Sequence, residues 1–189
     1  MPLNSKQPRI EPLEPPYDEE TGAVLDQLGP PIQLFRVWAR RPELAKGIAG
    51  WGQYYLSRRS ALSLRRRELV IDRTTALCGA DYEWGVHIAV FAEKAGLDAE
   101  QVASLATGRP SDGCWDAADR AVLAAVDELH ATSDLSDETW ADLEAAVGED
   151  GVLDLVLICG WYHAISFTVR ALRLPLEPGT AAIDESSAP

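Results

Sequence analysis

Apolar residues recur at three- and four-residue steps along most of this chain. No stretch alternates apolar and polar residues between turn signals. The first spacing puts apolar side chains on one face of a helix, and the second would mark a half-buried strand. An all-α fold of about eight helices follows, with short connections that pack neighbours antiparallel. One run, "VLDLVLICGWY" at 152–162, has the composition of a strand, but it continues to Leu174 without a breaker and predicts a long buried helix.

The punctuation agrees with this reading. Pro42 suits the first turn of a helix, Ser63 and Asp98 suit N-caps, and Asp134 or Ser136 can open "DETWADLEAAVG". Gly96 and Pro175 suit helix ends. Residues 1–17 hold five prolines and predict an extended arm that wraps the body or a neighbour. Residues 18–176 form the single predicted domain, and the small, polar stretch 177–189 reads as a mobile tail.

Charge narrows the function classes. A net charge of −13 opposes binding to nucleic acid or to anionic membranes, because both need a concentrated basic surface. No run of apolar residues long enough to span a membrane is expected, and the N-terminus lacks the apolar core of a signal peptide. The three cysteines, Cys78, Cys114 and Cys159, are scattered and include no Cys-x-x-Cys pair. That pattern predicts neither a disulfide framework nor a metal site, and a reducing cytoplasm is the simplest compartment.

The chemistry-bearing stretch is "CGADYEWGVHIAVFAEKAGL", residues 78–97. Glu83 and His87 stand four residues apart, so a helix brings them together. A carboxylate beside an imidazole sets its tautomer and raises its pKa, which suits proton transfer. Tyr82 adds a hydroxyl, and Glu68 can approach if the two helices form a hairpin through "LCGAD". The same residues also fit a solvated helix face or a hydrogen-bonded core histidine. A metal reading would need His163 or Asp72 as a further ligand and has no spacing motif behind it.

The segment "RRRELVIDRTTALCGADYEWGVHIAVFAEKAGLDAEQVASL" resembles the core of the carboxymuconolactone decarboxylase family, which includes the alkylhydroperoxidase D-like proteins. The resemblance implies an all-α fold, no cofactor, and homo-oligomers, commonly trimers or hexamers, with sites near subunit contacts. In the family's peroxidase branch a Glu precedes a Cys-x-x-Cys, and a His follows four residues after the second Cys. Aligned on Glu68 and His87, Ala80 and Glu83 stand where those cysteines would be, so the resemblance is to the branch without redox thiols. There the decarboxylase has a Tyr-Glu-Trp…His arrangement like Tyr82, Glu83, Trp84 and His87.

The resemblance implies a cofactor-free lyase acting on a small carboxylated lactone or carbonyl compound, with Glu68, Glu83 and His87 as the acid–base groups. Tyr82 would bond a developing oxyanion. Arg73 is the candidate for a substrate carboxylate, with an ion pair to Asp72 or Asp81 as its other reading, while Trp84 and His163 would complete the pocket. Of the arginines at 65–67, at least two are expected to pair with acids. The other function classes are a thiol peroxidase and a binding module that kept the fold without the reaction.

Overall fold

One helix, α4 (Leu64–Leu77), is buried along nine consecutive residues from Arg67 to Thr75, on every side and not on one stripe. In this computed structural model, which describes residues 7–186, everything else is arranged around it. Ser63 caps it by accepting the amide of Arg66 at 3.3 Å. Leu69, Val70 and Ile71 form its apolar girdle and are fully buried. A helix buried all round is usually apolar all round, yet α4 also buries Glu68, Asp72, Arg73, Thr74 and Thr75. Buried polar groups require partners, so this helix organises both the packing and the polar interior.

Four helices pack on α4 directly: α5 (Asp81–Phe91), α6 (Ala99–Thr107), α7 (Ala117–Thr132) and α8 (Asp137–Leu172). The α4–α5 connection is a tight turn through Gly79 at φ 61°, which makes the expected hairpin. Asp98 and Gln101 form a reciprocal capping box at the start of α6. Ser136, not Asp134, caps α8, accepting the amide of Thr139 at 3.3 Å. The long helix is broken at Gly148, with φ 73° and ψ 168°, so the two expected helices meet there across a kink.

Beyond Gly148, Val152, Leu155, Ile158, Cys159, Tyr162, Ile165 and Val169 are buried, as the reading of "VLDLVLICGWY" as helix predicts. Leu153, Val156, Leu157 and Phe167 lie on the opposite, exposed face. By length and composition alone α8 would be able to cross a membrane, but half of its most apolar window is buried within the fold, as core helices of folded domains often are.

A second layer, α1 (Glu19–Leu28), α2 (Gln33–Trp38) and α3 (Pro42–Tyr55), has Pro42 in the first turn of α3. The described part of the arm is tied down within the chain. Arg9 donates from its amide to the Leu172 carbonyl at 2.9 Å, and Arg36 donates to the Leu13 carbonyl at 3.1 Å. Residues 1–6 and 187–189 lie outside the described residues.

Residues 177–183 pack against the body. Glu177 Oε1 accepts from the Tyr82 hydroxyl and from the Gln33 amide, both at 2.6 Å, and the Ile183 amide donates to Asp81 at 3.2 Å. A Cβ at Gly85 would stand 2.8 Å from the Ala181 carbonyl, so a glycine there lets the tail lie against α5. A short α9 (Ile183–Ser186) follows.

Leu155 is fully buried in α8. Leu155→Ala is expected to cost about 2–5 kcal/mol, through lost transfer energy and the cavity left behind, measured as a lower urea midpoint with an unchanged slope.

Candidate active site

Two features of α4 place the polar centre. Glu68 and Arg67 are adjacent in sequence and both buried, and the Arg67 guanidinium donates to Glu68 Oε1 through Nε at 3.0 Å and Nη2 at 2.8 Å. Arg67 also donates from Nη1 to the Tyr55 carbonyl at 3.1 Å, which anchors α4 to the end of α3. The second carboxylate oxygen of Glu68 receives Nδ1–H of His87 at 2.8 Å across the α4–α5 hairpin. The expected convergence of the two helices is therefore present.

On its other side His87 meets two groups. Tyr162 of α8 has its hydroxyl 3.1 Å from Nε2, and Glu83, one turn earlier on α5, has Oε1 at 3.5 Å. The Tyr162 ring stands edge-on to the imidazole at a centroid distance of 5.2 Å, and Phe91 packs its other side at 5.3 Å. Glu83 Oε2 is buried without a hydrogen-bond partner.

These contacts fix the protonation states. Burial opposes a charge on His87, but the Glu68 carboxylate, and then Glu83, outweigh it and raise its pKa from 6.5 to about 10. Burial likewise works against ionised Glu68, yet His87 and Arg67 hold its pKa below the ordinary value. Burial, reinforced by Glu68, pushes the Asp72 pKa well upward and so favours its neutral form, and neither of its oxygens has a hydrogen-bond partner. Tyr162 is also pushed well up by burial and by Glu83, and stays a phenol. The centre is thus an imidazolium clamped by a carboxylate, not a neutral histidine.

A cavity of about 360 Å³ opens in front of the imidazolium. Leu34, Phe35, Trp38, Ile48, Val86, Val90, Trp161 and Ile165 supply apolar walls, and Glu83, His87 and Tyr162 line it together with the amides Gln27 and Gln53. This is the usual composition of a small-molecule site: apolar walls with a few convergent polar atoms.

Not every expected site residue reaches it. Glu68 stands behind His87 and does not line the cavity, so it positions the imidazole and has no contact of its own with the space. Arg73 is turned away: it clamps Asp127 through Nε at 2.6 Å and Nη2 at 2.8 Å and donates to the Leu105 carbonyl at 3.1 Å. Its partner is neither Asp72 nor Asp81, because α7 packs against that face of α4. Tyr82 points at the tail, held by Glu177 and by the Leu34 amide. Trp84 is fully buried in the core.

His163 lies on another face of α8, with Nε2 2.9 Å from His130. The adjacent Tyr162 takes the place expected for it, since one helical step turns a side chain by about a quarter of a circle. Among the described residues, no arginine or lysine lines the cavity. Of the three N-terminal arginines, Arg65 pairs with Asp119 at 2.9 Å and Arg67 with Glu68, as expected for two of them.

Comparison with known proteins agrees with this picture. Residues 42–128 match the model of the carboxymuconolactone decarboxylase family. Those residues, just under half of the chain, are similar to that family's domain. They include Glu68, Glu83 and His87, while Tyr162 comes from α8 beyond the matched region. No curated protein matches the sequence. Among solved structures, the chain is similar to an uncharacterized peroxidase-related protein from Silicibacter sp. TM1040, with a TM-score of 0.75 and 16% identity over 92% of this chain and 95% of the other. At that identity the likeness is one of fold. In this chain Ala80 occupies the N-cap position of α5 and Glu83 lines the cavity, at the two positions where the thiol branch would have cysteines.

Because the folded-state pKa of His87 is raised, the imidazolium favours the fold. That contribution is complete below the ordinary value of 6.5 and is lost as pH rises through about 10. Glu68→Gln strands the buried Arg67 and removes this support. It is expected to cost about 3–5 kcal/mol and to flatten the decline in stability between those two pKa values, as read by urea unfolding across that range.

Proposed function

We propose that the protein is a cofactor-free acid–base enzyme acting on a small, largely apolar molecule that carries a carbonyl or carboxylate, and that the reaction is decarboxylation or a related proton transfer. The observation that supports this most directly is the imidazolium of His87, which lines a largely apolar cavity beside a carboxylate with an unpartnered oxygen.

In a decarboxylation of a carboxylated unsaturated lactone, the C–C bond to the carboxylate breaks and carbon dioxide leaves. The electron pair delocalises onto the conjugated carbonyl oxygen. His87 Nε2–H then delivers its proton to carbon, and the neutral imidazole is reprotonated from solvent. Until that transfer the Nε2 hydrogen of the imidazolium is directed at the Tyr162 oxygen, which leaves the Tyr162 O–H free to donate to the developing oxyanion. Glu83 is the base for any proton the substrate must lose, and Glu68 keeps His87 charged and oriented.

The substrate class follows from the walls. Among the described residues no arginine or lysine lines the cavity, which leaves His87 as the cationic partner for an anionic substrate there. A ring with a single carboxylate or carbonyl fits this better than a polyanion. A thiol peroxidase would need a sulfur at the cavity, and no cysteine lines it. Self-association belongs to the same reading, supported by the exposed apolar face of α8 at Leu153, Val156, Leu157 and Phe167.

The test is turnover of a panel of carboxylated lactones and β-keto acids, followed as carbon dioxide release. His87→Gln and Glu83→Gln are each expected to lower kcat by about 10²–10⁴-fold with the helical circular dichroism unchanged. Unchanged turnover in either variant would refute the assignment of that residue, and activity lost with Cys78→Ser would favour the thiol reading instead.

A further inference from the structure

A second polar cluster lies outside the cavity, where the C-terminal ends of α4 and α7 meet the middle of α8. Cys78 is the C-cap of α4, His130 is in the last turn of α7, and His163 is on α8. One potential ligand atom from each of the three falls within 4.8 Å of the other two. The residues are 33 positions or more apart in sequence, so no spacing motif announces them.

We propose that Cys78, His130 and His163 bind a borderline-soft divalent transition-metal ion of the zinc type. Three observations converge on it. The first is ligand chemistry: one thiolate and two imidazoles suit zinc, cobalt or nickel, whereas magnesium and calcium require oxygen ligands.

The second is orientation. His163 Nδ1 is 2.8 Å from the Cys159 carbonyl oxygen, which can only accept, so Nδ1 carries a hydrogen. The ring is thereby locked with Nε2 turned toward His130 Nδ1, at 2.9 Å. A metal-bound histidine is typically held in this way, with its far nitrogen donating to a carbonyl or carboxylate.

The third is the field and the access. The cluster sits at the C-terminal ends of two helices, where the backbone carbonyls favour a cation. Cys78 is buried and His130 exposed, so the site is open to solvent on one side and leaves room for water as a fourth ligand.

Two small adjustments accompany binding. Nitrogens that share a tetrahedral zinc stand roughly 3.3 Å apart, given Zn–N bonds of about 2.0–2.1 Å. The two imidazoles therefore open slightly, which exposed His130 can accommodate. The Cys78 thiol releases its proton to solvent, and any hydrogen between the imidazoles is displaced, to the other nitrogen of His130 or to solvent. The bound ion would tie the ends of α4 and α7 to α8, on a face of α8 other than the one that carries Tyr162.

The test uses the purified, metal-stripped full-length chain and cobalt(II) as the probe. One cobalt per chain is expected, with a thiolate-to-cobalt charge-transfer band, intense tetrahedral ligand-field bands, and a rise in Tm on loading. Cys78→Ser should abolish the charge-transfer band. His130→Gln, at an exposed position that the fold does not need, should weaken binding by about tenfold or more. Glu83→Gln should leave the spectrum unchanged, which separates this site from the cavity. The proposal is overturned if the wild-type chain shows no charge-transfer band, if the band survives Cys78→Ser, or if His130→Gln binds as tightly as the wild type.

Discussion

The carboxylate of Glu68 is the interaction on which the rest depends. It is fully buried, and its two oxygens are divided between Arg67 on its own helix and His87 on the next. A carboxylate in that position without both partners would take up a proton, because burial penalises its charge. With them it remains ionised and in turn keeps His87 protonated. Fold and chemistry thus share one ion triad. Arg67 anchors α4 to the Tyr55 carbonyl, Glu68 joins α4 to α5, and His87 carries the charge to the edge of the cavity.

Around this triad the helices separate polar from apolar tasks. Three faces of α4 are committed to structure: its apolar girdle, the Arg73–Asp127 clamp to α7, and the Thr74 hydroxyl against Cys159 Sγ at 3.6 Å. The second layer supplies walls, with Trp38 and Trp51 packed on Trp161 at 6.3 Å and 5.4 Å. The tail closes the far side of α5 through Glu177 and Tyr82. The cavity therefore lies between the α4–α5–α8 layer that holds the charged groups and the α1–α3 layer that holds the apolar ones.

Much of this was legible before any coordinates. Helical spacing gave the class, caps and glycines placed the boundaries, and the four-residue step from Glu83 to His87 fixed their shared face. The approach of Glu68 followed once "LCGAD" was read as a hairpin turn. What could not be read was which side of each helix its neighbours would cover. Arg73 was a reasonable anion ligand until α7 brought Asp127 against it. Tyr82 and Tyr162 have equal hydrogen-bonding ability, and only the paths of the tail and of α8 decide that the second faces His87. His163 misses the cavity by one helical step. Nothing in the local spacing of Cys78, His130 and His163 foretold their meeting, because it is made by three helices at once.

The central claim is that Glu68 holds His87 as an imidazolium in an apolar cavity. The direct measurement is the side-chain ¹⁵N spectrum of histidine-labelled protein at about pH 8, with the His87 signals assigned by their loss in His87→Gln. An ordinary histidine, with its pKa near 6.5, would be almost wholly neutral at that pH, whereas His87 is expected to show both ring nitrogens protonated until the pH approaches about 10. A neutral His87 tautomer at about pH 8, titrating near the ordinary imidazole value, would contradict the account.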